Sequence, residues 1–149
     1  RIAEWMMKFA LTLAVIALGA SASLAHAQDD VIAKRKALMK EIGQKAEMAG
    51  NILKGKAPYD TATAKAIFST FSTNIKGFGD LFPEGSELGD TKALPAVWSD
   101  RAGFDAEIVK FEKAVADNAA KAETEAGFKP AFMAVAETCR SCHQNFKSR

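Results

Sequence analysis

Apolar residues recur at steps of three and four from residue 28 onward, which is the period of an α-helix and not the alternation of a strand. In the first segment this repeat predicts a helical seam at Ile32, Arg35, Met39, Ile42, Ala46, Ala49 and Leu53. Asp29 and Asp30 precede the seam and are its expected N-cap.

The second segment begins after Asp60, another expected N-cap, and ends at Gly77 and Gly79. Its predicted buried face consists of Ala64, Phe68, Phe71, Ile75 and Phe78.

Two further segments follow a long loop over residues 79–95, whose glycine, proline and aspartate content interrupts the helical pattern. The third is expected to start near Pro95 and to carry on one face Val97, Arg101, Phe104, Ile108, Phe111 and Val115. Gly127 is the expected turn residue after it, and the fourth is expected to start around Pro130. Four helices with one apolar stripe each can bury those stripes only against one another. The pattern therefore predicts an all-α fold, an antiparallel four-helix bundle.

Residues 1–27 follow a different pattern, which is typical of a secretory signal peptide. Lys8 supplies a positive charge, an apolar run follows over residues 9–20, and Ala25 and Ala27 form an A-x-A cleavage site. We therefore expect export, cleavage after residue 27, and a mature bundle domain over residues 28–149. The alternative is an uncleaved membrane anchor, because the apolar stretch approaches the roughly 20 residues that a spanning helix needs.

Charge is nearly balanced along the chain, with 20 Lys and Arg residues against 18 Asp and Glu residues and a formal net charge of +2. This balance argues against nucleic acid as a partner, because binding to a phosphate backbone relies on an excess of positive charge. One of the two histidines, His26, falls in the expected signal peptide. The mature chain is therefore expected to have a single histidine, His143.

The sequence TCRSCHQNF at residues 138–146 contains both cysteines, Cys139 and Cys142, with His143 directly after the second. On a helix these three residues occupy positions i, i+3 and i+4 and share one face. C-x-x-C-H is the attachment signature of haem c, in which the two thiols bind the haem covalently and the imidazole ligates its iron. Two alternatives stay open, a thioredoxin-like redox dithiol and a zinc site completed by a carboxylate from elsewhere in the chain.

With this motif the chain resembles a known family, the bundle cytochromes of the cytochrome c-prime and cytochrome c-556 type, which are class II c-type cytochromes. The likeness covers essentially the whole mature chain. It rests on RKALMK at residues 35–40, on LPAVWSDRAGFD at residues 94–105, and on the C-terminal residues Cys139, Cys142, His143, Phe146 and Lys147. The resemblance implies a periplasmic protein, often a homodimer, with one covalent haem c and His143 as the proximal iron ligand. It also implies that Trp98, Phe146 and Lys147 lie at the cofactor.

Arg35 occupies a seam position where an apolar residue is expected. A buried guanidinium needs an anionic partner, and a haem propionate would supply one. The alternative is that the side chain extends past the bundle and its charged end reaches water. Trp98 also has two interpretations, a residue at the cofactor and a core aromatic packed under a loop.

The sixth position of the iron decides the function, and Met39 is the candidate because it lies on the first seam one turn after Arg35. If Met39 ligates the iron, the haem is low-spin with His/Met ligation, which suits one-electron transfer with periplasmic redox partners. If Met39 is an apolar lid, the iron is five-coordinate and binds NO or CO. We favour electron transfer. Enzymatic activity is not expected, because no distal His, Arg or acid pair is placed to cleave a peroxide.

Overall fold

The computed structural model describes residues 2–149, with side chains from residue 25 onward. Over this range it contains five α-helices, α1 (Ile2–Leu53), α2 (Thr61–Ile75), α3 (Ala96–Ser99), α4 (Arg101–Asn118) and α5 (Glu125–Phe146). Short 3₁₀ helices lie in two connections, at Phe78–Leu81 and Lys121–Glu123. Helix α1 packs on α2, α4 on α5, α2 on α4 and α1 on α5, which closes a four-helix bundle. The predicted all-α bundle is confirmed.

Most of the predicted signal peptide, residues 1–24, lies outside the residues whose side chains are described. The signal peptide, its cleavage after residue 27 and the mature domain over residues 28–149 therefore stay predictions. Among the helices searched in the described part of the chain, none is both long enough and apolar enough to cross a membrane.

The expected start of the first helix is wrong, because α1 continues through Asp29 and Asp30 without a break. Both aspartates are exposed, so their charges stay in water while the backbone remains helical. No glycine or proline occurs between residues 20 and 42, and a helix that meets neither residue has no strong local reason to end. Most of the predicted seam is buried or partly buried, with Ile32, Arg35, Ile42 and Ala49 fully enclosed.

Helix α2 begins where the sequence predicts. Asp60 is its N-cap and its Oδ2 accepts hydrogen bonds from the Thr63 amide at 2.7 Å and the Thr63 hydroxyl at 2.8 Å. The helix ends at Ile75, and Gly77 turns the chain with a φ of +66°, a conformation that favours glycine. The whole predicted stripe is buried, at Ala64, Phe68, Phe71, Ile75 and Phe78.

The third predicted helix is divided in two. A single turn, α3, follows Pro95, and α4 starts afresh at Arg101 because Asp100 leaves the helical conformation with φ −123° and ψ 60°. The Asp100 carboxylate accepts a hydrogen bond from the Gly103 amide at 3.1 Å and so caps α4. An aspartate stabilises a helix start better than a helix interior, which explains the break. The predicted apolar face is buried on both sides of it, at Val97, Phe104, Phe111 and Val115.

Helix α5 starts earlier than the sequence predicts. It begins at Glu125 with Thr124 as N-cap, whose hydroxyl oxygen accepts a hydrogen bond from the Gly127 amide at 3.1 Å. Gly127 and Pro130 therefore lie inside the helix, and residues 119–124 form the turn. Pro130 removes one amide donor from the second helical turn. That turn is held against the bundle by its buried neighbours Phe128, Ala131 and Phe132.

Candidate functional site

A cleft opens at one end of the bundle, between α1 and the last turns of α5. Arg35 and Met39 of α1, and Cys142 and His143 of α5, line the same cleft. Its empty volume, including solvent at the open mouth, is about 600 Å³. The remaining lining residues are Lys36, Phe78, Phe82, Thr91, Lys92, Ala93, Val97, Phe104, Phe146 and Lys147. The pair Arg35 and Met39 and the pair Cys142 and His143 are about 100 positions apart in sequence, and they meet in this cleft.

The C-x-x-C-H motif lies on the last turns of α5, as the sequence predicts. Cys142 and His143 reach the cleft, whereas Cys139 stands one turn earlier, partly buried against the core and outside the cleft lining. Cys139 and Cys142 do not form a disulfide. Much of the His143 side chain is exposed to solvent. Burial of the rest, and then the positive charge of Lys147, lower the pKa of His143. A neutral imidazole is the form that ligates a metal.

Burial raises the pKa of the Cys139 thiol. The pKa of Cys142 is raised to about 11, first by burial, then by the negative charge of Glu107 and by Cys139. A redox dithiol depends on the opposite shift, a lowered pKa produced by a helix N-terminus or a nearby cation. The position of the motif at the C-terminal end of α5 and the raised pKa values therefore do not fit the dithiol alternative. Within the described residues no cluster of three or more His, Cys, Asp or Glu side chains is arranged to hold a metal ion.

Arg35 is buried, with 3% of its surface exposed, so the alternative in which its charged end reaches water is wrong. Nη1 donates to the carbonyl oxygen of Leu81 and the hydroxyl of Ser86, both at 2.9 Å. Nη2 donates to the Ser86 carbonyl oxygen at 3.0 Å and the Thr91 hydroxyl at 2.8 Å. The guanidinium carbon also lies 4.4 Å from the centre of the Phe82 ring. Arg35 therefore ties the loop over residues 79–95 to α1.

The loop partners of Arg35 are neutral, and the sequence pattern does not predict them. Burial lowers the pKa of the guanidinium, and the negative charge of Glu87 opposes this shift. Ser86, which is completely buried, and Thr91 gave no sequence signal, because the loop has no periodicity that shows which of its residues point inward. The predicted pairing of Arg35 with a propionate stays a prediction.

We expect Arg35→Leu to lower the free energy of unfolding of the haem-loaded protein by at least about 3 kcal/mol, because buried loop oxygens lose a charged donor. The loop over residues 79–95 should also become more sensitive to limited proteolysis. Lys36→Gln is the control, since it removes exposed contacts with the carboxylate and carbonyl oxygens of Asp90 and should change stability little. Urea titration and proteolysis followed by mass spectrometry measure both effects. Equal stability and equal cleavage of the two variants would contradict the role of Arg35 as a loop anchor.

Trp98 lies beside the cleft and is not among its lining residues. Its indole Nε1 donates to the Pro83 carbonyl oxygen at 3.1 Å, and its ring meets Phe82 edge-on with centroids 6.0 Å apart. Phe82 itself lines the cleft. The role of Trp98 at the cofactor stays a prediction, as does its alternative as a core aromatic packed under a loop.

Phe146 and Lys147 are held at the cleft by the backbone of the same loop. The Leu94 amide donates to the Phe146 carbonyl oxygen at 2.9 Å, and the Ser148 amide donates to the Lys92 carbonyl oxygen at 2.8 Å. Phe146 is buried and meets Phe104 edge-on at 5.5 Å. These contacts fix the end of α5 just after His143.

Comparison with known proteins identifies the family. The family model described as Cytochrome C' matches residues 30–147. The chain is 33% identical over 144 residues to cytochrome c' of Rhodopseudomonas palustris, covering 96% of this chain and 97% of that protein. It is 36% identical over 138 residues to cytochrome c-556 of the same organism, covering 89% and 93%. A solved structure of cytochrome c' from Rhodopseudomonas palustris superposes with a TM-score of 0.77 at 35% identity, covering 80% of this chain and 97% of that one.

The chain therefore belongs to the cytochrome c' family of c-type cytochromes, and the resemblance inferred from the sequence is confirmed. It is a haem-binding cytochrome, and its cofactor is one covalently attached haem c. The cleft fits this group. Two thiols and an imidazole stand on one helix, and the other walls of the cleft are largely aromatic and aliphatic.

Proposed function

We propose that this chain is an exported, periplasmic electron carrier in which Cys139 and Cys142 attach the haem and His143 ligates its iron. The observation that carries the proposal is that His143 and Cys142 of α5 line one cleft with Met39 of α1. The haem supplies a one-electron couple at its iron when bound. Residues 1–27 act as the signal peptide, and residues 28–149 form the mature domain.

Met39 is proposed as the second axial ligand. Its thioether lies on a different helix from His143 and lines the same cleft, and the mature chain has no second histidine. The buried side chains of Phe78, Phe82 and Phe104 form apolar walls of this cleft. Methionine in this position raises the reduction potential relative to harder ligands, which suits electron transfer.

Arg35 is proposed to hold a propionate in place of one of its neutral loop partners. It lines the cleft, and a carboxylate that replaces one of its neutral acceptors forms a stronger, charge-assisted hydrogen bond. Lys36, Lys92 and Lys147 also line the cleft and place further positive charge near the propionates. This rim is the proposed contact surface for a periplasmic redox partner, and a homodimer is the proposed assembly.

The second candidate function is binding of NO or CO at a five-coordinate iron. The apolar character of the cleft favours it, since Phe78, Phe82, Val97 and Phe104 line the region near Met39 and would accept a small neutral molecule. In this case Met39 is an apolar lid, a use to which the flexible methionine side chain is well suited.

Absorption spectra of the purified ferric and ferrous protein separate the two functions. The proposal predicts low-spin spectra in both oxidation states, the weak long-wavelength charge-transfer band of a methionine-ligated ferric haem, and slow binding of CO. High-spin spectra in both states with rapid CO binding would replace electron transfer by gas binding.

A further inference from the structure

A buried carboxylate with one unpartnered oxygen lies where α4 packs against α5. Glu107 of α4 is 7% exposed. Its Oε1 accepts a hydrogen bond from Lys110 Nζ at 2.9 Å, and the Lys110 side chain is largely exposed. Its Oε2 is enclosed and is the one buried side-chain oxygen or nitrogen in the described residues that has no hydrogen-bond partner. The anchoring of the loop by Arg35 does not explain why Glu107 is buried, and neither does the attachment of haem.

Glu107 faces the haem-attachment motif across the helix interface. It is close enough to the Cys142 thiol for its negative charge to act on that group. Phe104, one turn earlier on α4, lines the cleft and contacts Phe146 near the end of α5. Cys142 precedes Phe146 by one turn on α5, so the packing of α4 on α5 places Glu107 one helical turn from the cleft wall and at the level of Cys142.

An acid in this position is costly, because burial removes the carboxylate from water and its partner Lys110 compensates only one oxygen. No donor in the described part of the chain reaches Oε2. Positive charge nearby would stabilise this unpaired carboxylate oxygen. The site gains one positive charge when ferrous iron loses an electron, and a fixed negative charge at short range stabilises that oxidised form.

We propose that Glu107 sets the reduction potential of the haem, holding a negative charge beside its thioether edge at Cys142 and thereby favouring ferric over ferrous iron. The inference rests on the proposed attachment at Cys142. The reaction that Glu107 influences is the transfer of one electron between the iron and an electrode or a redox partner. No covalent bond forms or breaks in this reaction. Lys110 offsets part of the effect from the exposed side.

Spectroelectrochemical titration of the haem-loaded protein at one pH and one ionic strength tests the proposal. Glu107→Gln removes the charge and keeps the shape, so the ferrous-to-ferric ratio at a fixed potential should rise roughly three- to tenfold, where tenfold corresponds to about 59 mV for one electron. Lys110→Gln removes the positive charge that lies 2.9 Å from Glu107 Oε1 and should lower the same ratio, by a smaller factor because Lys110 is largely exposed. Glu107→Asp keeps the charge and should stay close to wild type.

Glu112→Gln is the matched control, since Glu112 is exposed on the same helix and the change in net charge is identical. Solvent screening should leave its ratio nearly at the wild-type value. Equal shifts for the variants at Glu107 and Glu112, or a raised ratio for Lys110→Gln, would overturn the proposal. If Glu107→Gln does not fold with haem, the sign of the Lys110→Gln shift decides. A wild-type protein without covalent haem would contradict the proposed attachment, which is a separate result.

Discussion

Replacing both Cys139 and Cys142 by alanine is expected to abolish covalent haem attachment completely. Each thiol accounts for one thioether bond, and His143 alone holds the haem only by reversible ligation of the iron. After expression with the cytochrome c maturation machinery and export, the double variant should yield colourless protein, or protein that loses all haem to acidified acetone. Haem-stained denaturing gels measure this directly.

Single variants and a neighbouring control make the test specific. Cys139→Ala and Cys142→Ala should each retain at most one thioether bond, with a changed haemochrome spectrum. Ser141→Ala, between the two cysteines on α5, should retain full attachment because the serine has no part in the bond. Haem that remains covalently bound in the double variant would contradict the assignment of both cysteines.

Met39→Leu is expected to convert a low-spin ferric haem to a high-spin one and to remove the methionine charge-transfer band. Leucine fills a similar volume and has no sulfur lone pair, so the iron loses its sixth ligand while the cleft keeps its packing. Ferrous protein should then bind CO readily, because the ligand that competes for that position is gone. Absorption spectra and stopped-flow CO binding measure the two effects.

Met48→Leu is the control for this change. Met48 lies on the same helix, is 39% exposed and does not line the cleft, so its variant should keep the wild-type spectrum. Identical spectra for wild type, Met39→Leu and Met48→Leu would mean that Met39 is not an iron ligand.

The sequence predicts the bundle well, because the period of apolar residues records which helix face is buried. Asp60 caps α2 as predicted, since that cap depends only on residues three positions apart. The predicted helix boundaries are wrong where a capping residue and the apolar period indicate different helix starts. Asp29 and Asp30 are good caps, but α1 runs through them, and Asp100 caps a helix in the middle of a segment whose apolar period continues unbroken.

The candidate site is predictable only in part. Cys142 and His143 are found from a contiguous motif, and Met39 and Arg35 from one seam, and the structure brings all four to one cleft. The contacts of Arg35 with Leu81, Ser86 and Thr91 could not be foreseen. They depend on how an aperiodic loop folds back on α1, which side-chain spacing does not encode. Glu107 was missed because a glutamate on a helix is usually exposed.

The central claim is that the haem is attached covalently at Cys139 and Cys142 beside His143. Mass spectrometry of proteolytic peptides from the purified wild-type protein tests it most directly. The account predicts that the peptide spanning residues 139–143 has the mass of its residues plus one haem, and that neither cysteine reacts with a thiol-alkylating reagent. An unmodified peptide with two alkylated cysteines, from protein produced with active maturation machinery, would contradict it.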